Sequence, residues 1–416
     1  MKNLYKSLII CTLVALLSAI ASPAFAGNRD RSGQAGASHL LIDPWARTNG
    51  MAGAGVAEVR GLESVFTNVA GLTSVRKTEL AFNRTQYLVG SNCGIGINSL
   101  AIAQHLGKNN KDFGVISISL FTQNFGDIDI TTTEQPEGGQ GTFSPTLTYI
   151  GLHYAKSFNN FIKGGVSLKI VNERISDSKA TGFAIDAGVQ YVTGKFENFK
   201  IGVTLKNIGL PMHYSGDGLS VRARILNQQH EQTLEMRSAE FEMPSQLSIG
   251  ISYDLLFFGG EYAEFSKEDL AAEGLTRDEA EHRLTFAGAF TANSYTRDIV
   301  SVGLEYGFRN LFMIRAGYGL EIGHYDNSYE NKLLAILTNA ESFFSGPAVG
   351  ASVLIPFTKE REKHAVGPRM YLDYAYRFTS QWQGNHYIGI KIALSEIFNF
   401  LYVHNRRDCH GLFYFV

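Results

Sequence analysis

The sequence predicts an all-β fold: a 14-stranded antiparallel transmembrane β-barrel with an N-terminal hatch segment in its lumen. Three observations predict it. Residues 78–394 divide into fourteen alternating segments, most of them ten to thirteen residues long. Ordinary soluble strands run about five or six residues, whereas a strand crossing an outer membrane needs roughly 9–11. Within each segment one face is apolar, with Tyr or Phe near its ends, and the other carries Gly, Ser, Thr and charge. Finally, the chain opens on an export signal.

Composition narrows the choice further. The 416 residues include 43 Gly, 28 Phe and 19 Tyr but only 9 Pro, with 18% charged residues and a net charge of −2. Apolar content is too high, and net charge too small, for a disordered chain. A helical membrane protein needs several apolar runs of roughly 20 residues, which are missing. No basic excess exists to neutralise phosphates, so nucleic acid is not an expected partner.

In chain order, Lys2 and Lys6 precede an apolar run from Leu8 to Ile20, and Ala24-Phe25-Ala26 gives a small-x-small cleavage pattern. Residues 1–26 therefore read as a signal peptide that is removed. Cys11 lies inside that apolar run. Cys93 and Cys409 are too few and too distant for a disulfide framework. Residues 27–40 are small and polar and read as a mobile start. From Leu41 to Lys77 alternation is absent and small residues abound, which suits close packing against other backbone. This stretch is the hatch candidate, expected to begin on the periplasmic side because it precedes the first strand.

The strands follow at about 78–90, 94–104, 113–123, 146–156, 161–173, 181–193, 199–208, 245–254, 282–292, 297–307, 311–321, 347–356, 369–378 and 385–394. In 181–193, Phe183, Ile185, Ala187, Val189 and Tyr191 oppose Ala184, Asp186, Gly188 and Gln190. In 311–321, Phe312, Ile314, Ala316 and Tyr318 oppose Met313, Arg315 and Gly317. A soluble barrel would turn the apolar face inward. The signal peptide, strand length, even count and Gly-rich polar face favour apolar-out, in lipid.

With a periplasmic N-terminus, the long connections 124–145, 209–244 and 322–346 lie outside, and 157–160, 194–198 and 308–310 are tight periplasmic turns. Connections 255–281 and 357–368 depart from that rule. The first contains Ser266-Lys267-Glu268-Asp269 ahead of an acidic stretch that reads as a capped helix.

Catalytic and metal patterns are missing. There is no HExxH, Walker A loop, GxSxG or paired CxxC. His404, Cys409 and His410 lack a fourth ligand, and Asp127 and Asp129 form only a lone DxD. Neither a metal nor a cofactor is expected, and the chain does not read as an enzyme. The inward face is more informative. Asp186, Asp254, Glu305 and Asp373 are balanced by Lys169, Lys206, Arg315, Arg377 and Lys391. A selective pore shows rings of one sign, whereas balanced charge implies pairing across the interior or with a plug.

The run Ala46-Arg47-Thr48-Asn49-Gly50-Met51-Ala52-Gly53-Ala54-Gly55-Val56-Ala57, followed by Asn68-Val69-Ala70-Gly71-Leu72, resembles the N-terminal signature of the PorV/PorQ family of outer-membrane proteins. Ala52 stands where that pattern has Gly, and Val69 where it has Pro. The resemblance continues through Phe143–Thr146, Ala180–Asp186 and Gly202–Gly209. It implies a FadL-like barrel with Arg47, Gly50, Met51, Gly53, Gly55, Asn68, Ala70, Gly71 and Leu72 in the hatch. It also implies an accessory role in type IX protein secretion, with translocon or attachment proteins and cargo signal domains as partners besides outer-membrane lipid. The alternative is a FadL-like transporter of hydrophobic small molecules, which needs an apolar pocket above the hatch and a gap in the wall. Residues 395–416 extend past the expected final strand.

Overall fold

Fourteen strands of nine to sixteen residues form one antiparallel sheet that closes on itself. They are β1 (Thr78–Gln86), β2 (Gly96–Lys108), β3 (Lys111–Asn124), β4 (Thr146–Ser157), β5 (Ile162–Ile175), β6 (Ser178–Thr193), β7 (Phe199–Gly209), β8 (Gln246–Phe257), β9 (His282–Asn293), β10 (Asp298–Phe308), β11 (Phe312–Ile322), β12 (Gly346–Pro356), β13 (Arg369–Arg377) and β14 (Asn385–Leu394). The structure, a computed structural model, describes residues 31, 33–91, 94–108, 111–224, 231–259, 277–322, 344–357, 368–379 and 383–394. Closure is by β1 on β14, in register from Thr78 opposite Leu394 to Gln86 opposite His386.

The period-2 pattern decides which face looks out. Ile185 is 54% exposed and Ile314 60%, while Asp186 and Arg315 on the opposite face are 4% and 5% exposed. A water-soluble barrel would bury those isoleucines. Here bulky apolar side chains cover the outer wall of every part of the sheet, from Phe82 and Ile118 to Val302 and Ile388. A closed ladder satisfies every neighbouring strand, and an apolar outer band suits hydrocarbon. The molecule is a transmembrane barrel of the outer-membrane type.

Strand ends differ from the sequence reading where local geometry intervenes. Strand β1 stops at Gln86 because Tyr87 turns inward and Leu88 takes a positive φ of 52°. Strand β2 continues to Lys108 across a bulge between His105 and Gly107. Strands β5 and β6 are joined by only Ser176 and Asp177, with Ser176 at φ 49°.

Inside the barrel runs the non-alternating segment, built of short turns at Ser38–Leu41, Ala46–Asn49, Ala54–Val56, Gly61–Phe66 and Val69–Ser74. It packs around nearly the whole inner wall. Residues 61–66 meet β1–β3, 69–74 meet β4–β6, 54–56 meet β7–β10 and 46–49 meet β12–β14. Its course corrects one expectation. The segment ends on the periplasmic side, where Val75 leads into β1, but residues 31 and 33–37 lie at the outer mouth. Ala35 bridges to Glu242 in the β7–β8 connection, and Arg31 sits 3.3 Å from the Glu242 carboxylate. The described end of the stretch read as a mobile start is packed: Ala37, His39 and Leu40 are buried, because the lumen offers His39 the rings of Phe121 and Tyr149.

Candidate functional site: the filled lumen

The residues singled out in the N-terminal segment come together inside the barrel. Arg47 projects into a group of acids, 3.4 Å from Glu305, 3.8 Å from Glu58 and 3.9 Å from Glu63. Gly50 lies against Gly350 of β12, so close that a Cβ on Gly50 would stand 3.1 Å from the Gly350 Cα. Met51 and Ala54 fill the space over Gly303. Gly53, at φ 85°, turns the chain into Ala54–Val56, and Gly55 abuts Met51. The Asn68 carboxamide accepts a hydrogen bond from Ala70 N at 3.2 Å and donates to Val56 O at 3.1 Å and Val189 O at 3.2 Å, tying the segment to β6. Ala70 and Leu72 are wholly buried, and Gly71 passes directly beneath Val59 O. Gly-rich inward faces thus have a mechanical reason. A side chain at Gly202 would come 2.6 Å from Val56 O.

The inward charges sort into two groups. In the periplasmic half, Glu305 accepts hydrogen bonds from Arg283 and Arg315, each at 2.5 Å. Arg315 also donates to Ser352, at 2.5 Å from its Oγ. Asp373 is tied to that Ser352 and lies 3.9 Å from Arg315. Lys200 bridges Glu58 at 2.5 Å and Asp254 at 2.7 Å, and Lys391 holds Glu63 at 2.7 Å. Arg277, from the β8–β9 connection, reaches in to pair with Glu58 and, at 2.7 Å, with Asp254. Burial alone would raise the Glu58 carboxyl, but Arg277 and Lys200 outweigh it and hold it well below the usual carboxylate range. Glu63 is likewise lowered, burial being outweighed by Lys391 and Arg47.

The second group lies toward the outer mouth. Lys169 pairs with Asp186 at 2.6 Å, and Lys206 donates to Phe66 O at 2.7 Å. Arg377 binds Phe344 O. Asp43 accepts from Thr48 at 2.8 Å and Thr67 at 2.6 Å, yet burial pushes its carboxyl above the ordinary value. The β6–β7 ladder is irregular here. Pairing jumps between Ile185 and Ala187, leaving Lys206 and Asn207 to bulge, with Asn207 at φ 59°.

Between the segment and the outer ends of β8–β10, β13 and β14 lies a cavity of about 100 Å³. Ile42, Val56, Ile299, Phe344 and Tyr387 supply its apolar lining, and Asp43, Lys206, Gln246 and Arg377 its polar side.

Sequence reading placed Lys169, Asp186, Lys206, Glu305, Arg315, Asp373 and Arg377 on the inner face, where they stand. It passed over Lys200 and Arg283, which share the same inward parity and were legible by that signal. It also passed over Glu58 and Glu63, which lie in a stretch without period, and Arg277, in a connection. The helix read after Ser266, most of connection 322–346 and the tail with His404, Cys409 and His410 lie outside the described residues. Asp127 and Asp129 are exposed, and Asp127 is bonded to Ser144. Among the described residues no group of His, Cys, Asp and Glu is arranged to hold a metal.

No protein-family model matches the chain, and no curated protein matches it. Solved structures do. The toluene transporter TbuX of Ralstonia pickettii shares 12% identity over 84% of this chain and 97% of its own, with a TM-score of 0.45. The toluene transporter TodX of Pseudomonas putida shares 12% identity over 83% and 95%, also at 0.45. A Pseudomonas aeruginosa FadL homologue shares 12% over 83% and 94%, at 0.41. Likeness at this level says nothing about substrate.

Proposed function

We propose that this chain is a non-enzymatic outer-membrane barrel that admits small, largely apolar molecules from outside, the second of the two roles raised by the sequence. One observation carries the reading. The cavity lies on the outer side of a segment whose periplasmic half is sealed by paired charge. An apolar guest is disfavoured among buried ions, so its way onward from the cavity is sideways. Lys206 lines the cavity and belongs to the wall bulge. The named roles of the neighbouring structures are of this kind, but the proposal rests on the cavity. Toluene uptake by cells making the barrel tests it. Ile299→Trp, which fills the cavity, is expected to slow uptake several-fold, and uptake equal to that of cells lacking the barrel overturns the reading.

The accessory role in type IX secretion is the second reading, favoured by its own observation. The motif residues Ala46–Ala57 and Asn68–Leu72 that resemble the PorV/PorQ signature are the residues that fill the lumen. Meanwhile a hairpin of the β7–β8 connection, Ser220–Arg224 with Glu231–Glu235, stands exposed with Val221, Leu234 and Met236 bare. Deleting the gene is expected to leave type IX cargo in the periplasm, and normal cargo display at the cell surface counts against it.

A further inference from the structure

The outer wall carries a cation where its apolar band ends. Along β1 the outward residues are Leu80, Phe82, Arg84 and Gln86. Arg84 stands directly opposite Ile388 of β14 and Asn98 of β2. Beside it Ile388, and below it Phe82 with Ile390 opposite, present bare apolar surface to the bilayer. A guanidinium facing lipid is costly in the hydrocarbon and nearly free at the headgroup level, so its position marks the boundary on the outer leaflet.

Its surroundings are shaped to hold it there. The Arg84 guanidinium lies over Gly96, where a Cβ would come 2.6 Å from Nη2, and Nη1 donates to Asn98 Oδ1 at 2.8 Å. Among the described residues no carboxylate pairs with it. On the neighbouring strand His386 stands opposite Gln86, its Nδ1 2.9 Å from the Tyr374 hydroxyl, which leaves Nε2 for another partner. Arg84, Gln86, His386 and Ile388 line a recess of about 320 Å³ on the lipid-facing wall.

We infer that this recess binds the phosphate of an outer-leaflet lipid. The Arg84 fork takes the phosphate oxygens, Gln86 and His386 supply further donors, and the acyl chains lie along Ile388 and Phe82. A planar guanidinium held by a neutral carboxamide rather than by a carboxylate suits phosphate. The apolar floor selects a lipid over a free anion. The site is independent of what passes through the lumen.

Native mass spectrometry of the full mature chain in detergent tests it, with diphosphorylated lipid A, the same lipid dephosphorylated, and inorganic phosphate as probes. Heat-modifiable mobility on gels reports folding. The phosphorylated lipid is expected to stay bound, and Arg84→Gln to weaken it about tenfold, the scale of one hydrogen bond to a charged group. Arg84→Lys keeps part of the binding. Gly96→Ala, which retains the charge but crowds its seat, weakens binding too and serves if Arg84→Gln does not fold. Equal binding by the Arg84→Gln or Gly96→Ala barrel, or equal binding of the dephosphorylated lipid, overturns the site. Displacement of lipid by inorganic phosphate at matching concentration overturns the lipid as its ligand.

Discussion

The segment in the lumen is held differently by its two sides. Against β1–β6 it packs by shape: Leu62, Phe66 and Leu72 meet Ile97, Phe121 and Tyr149, with the Phe121 and Tyr149 rings stacked at 4.8 Å. Against β7–β14 it is held by charge, through Arg47, Glu58 and Glu63 set among Lys200, Asp254, Arg277, Glu305 and Lys391. The apolar side tolerates loss of a few atoms at the cost of a cavity. The charged side does not tolerate loss of one partner, because the remaining ions are then buried and unmatched.

Breaking the charged side should have the largest effect. Glu305→Gln leaves Arg47, Arg283 and Arg315 facing one another, and the barrel is expected to lose about 3–5 kcal/mol. Thermal unfolding followed by Trp45 fluorescence measures this, since Trp45 is buried edge-on to Phe66 at 5.5 Å. On the packed side Leu72→Ala should cost about 3 kcal/mol, the scale of a fully buried leucine, by the same assay. A cost at Leu72 well above that at Glu305 would reverse the comparison.

Acid sharpens the contrast. Glu58 and Glu63 are held below their ordinary value of 4.5, so their contribution is present at neutral pH and is lost as pH falls below that value through their folded-state range. Asp43, pushed up by burial, runs the other way and gains as it is protonated. Thermal stability is therefore expected to fall as pH drops below about 4.5, with protonation of Asp43 offsetting part of the loss. Glu63→Gln should flatten the acid limb. The smallest effect is expected at the exposed pair of Arg309 and Glu281, where Arg309→Gln should cost less than about 1 kcal/mol and serves as the control for buried charge.

The wall was legible because a strand's side chains alternate strictly. Ile185 and Asp186 could be assigned to opposite faces from the sequence alone, and the fourteen segments follow from the same rule. The lumen was legible only in part. Inward charges on strands inherit that parity, so Glu305 and Arg315 were visible, whereas their partner Glu58 lies in a stretch of one-turn helices with no period to read. The route of residues 33–37 was hidden for a related reason. Their placement depends on the backbone of Glu242, some two hundred residues away, and on aromatic rings waiting in the lumen for His39. The bulge at Lys206–Asn207 left no local mark beyond an asparagine, one of the residue types that most readily accept positive φ.

Hydrogen–deuterium exchange on the barrel purified from outer membranes in detergent tests most directly whether residues 46–75 are lodged inside it. Peptides from this segment should be protected for hours, comparably to peptides from β8–β11. Complete exchange of the segment within seconds, while the strands stay protected, would place it outside the wall and contradict the account.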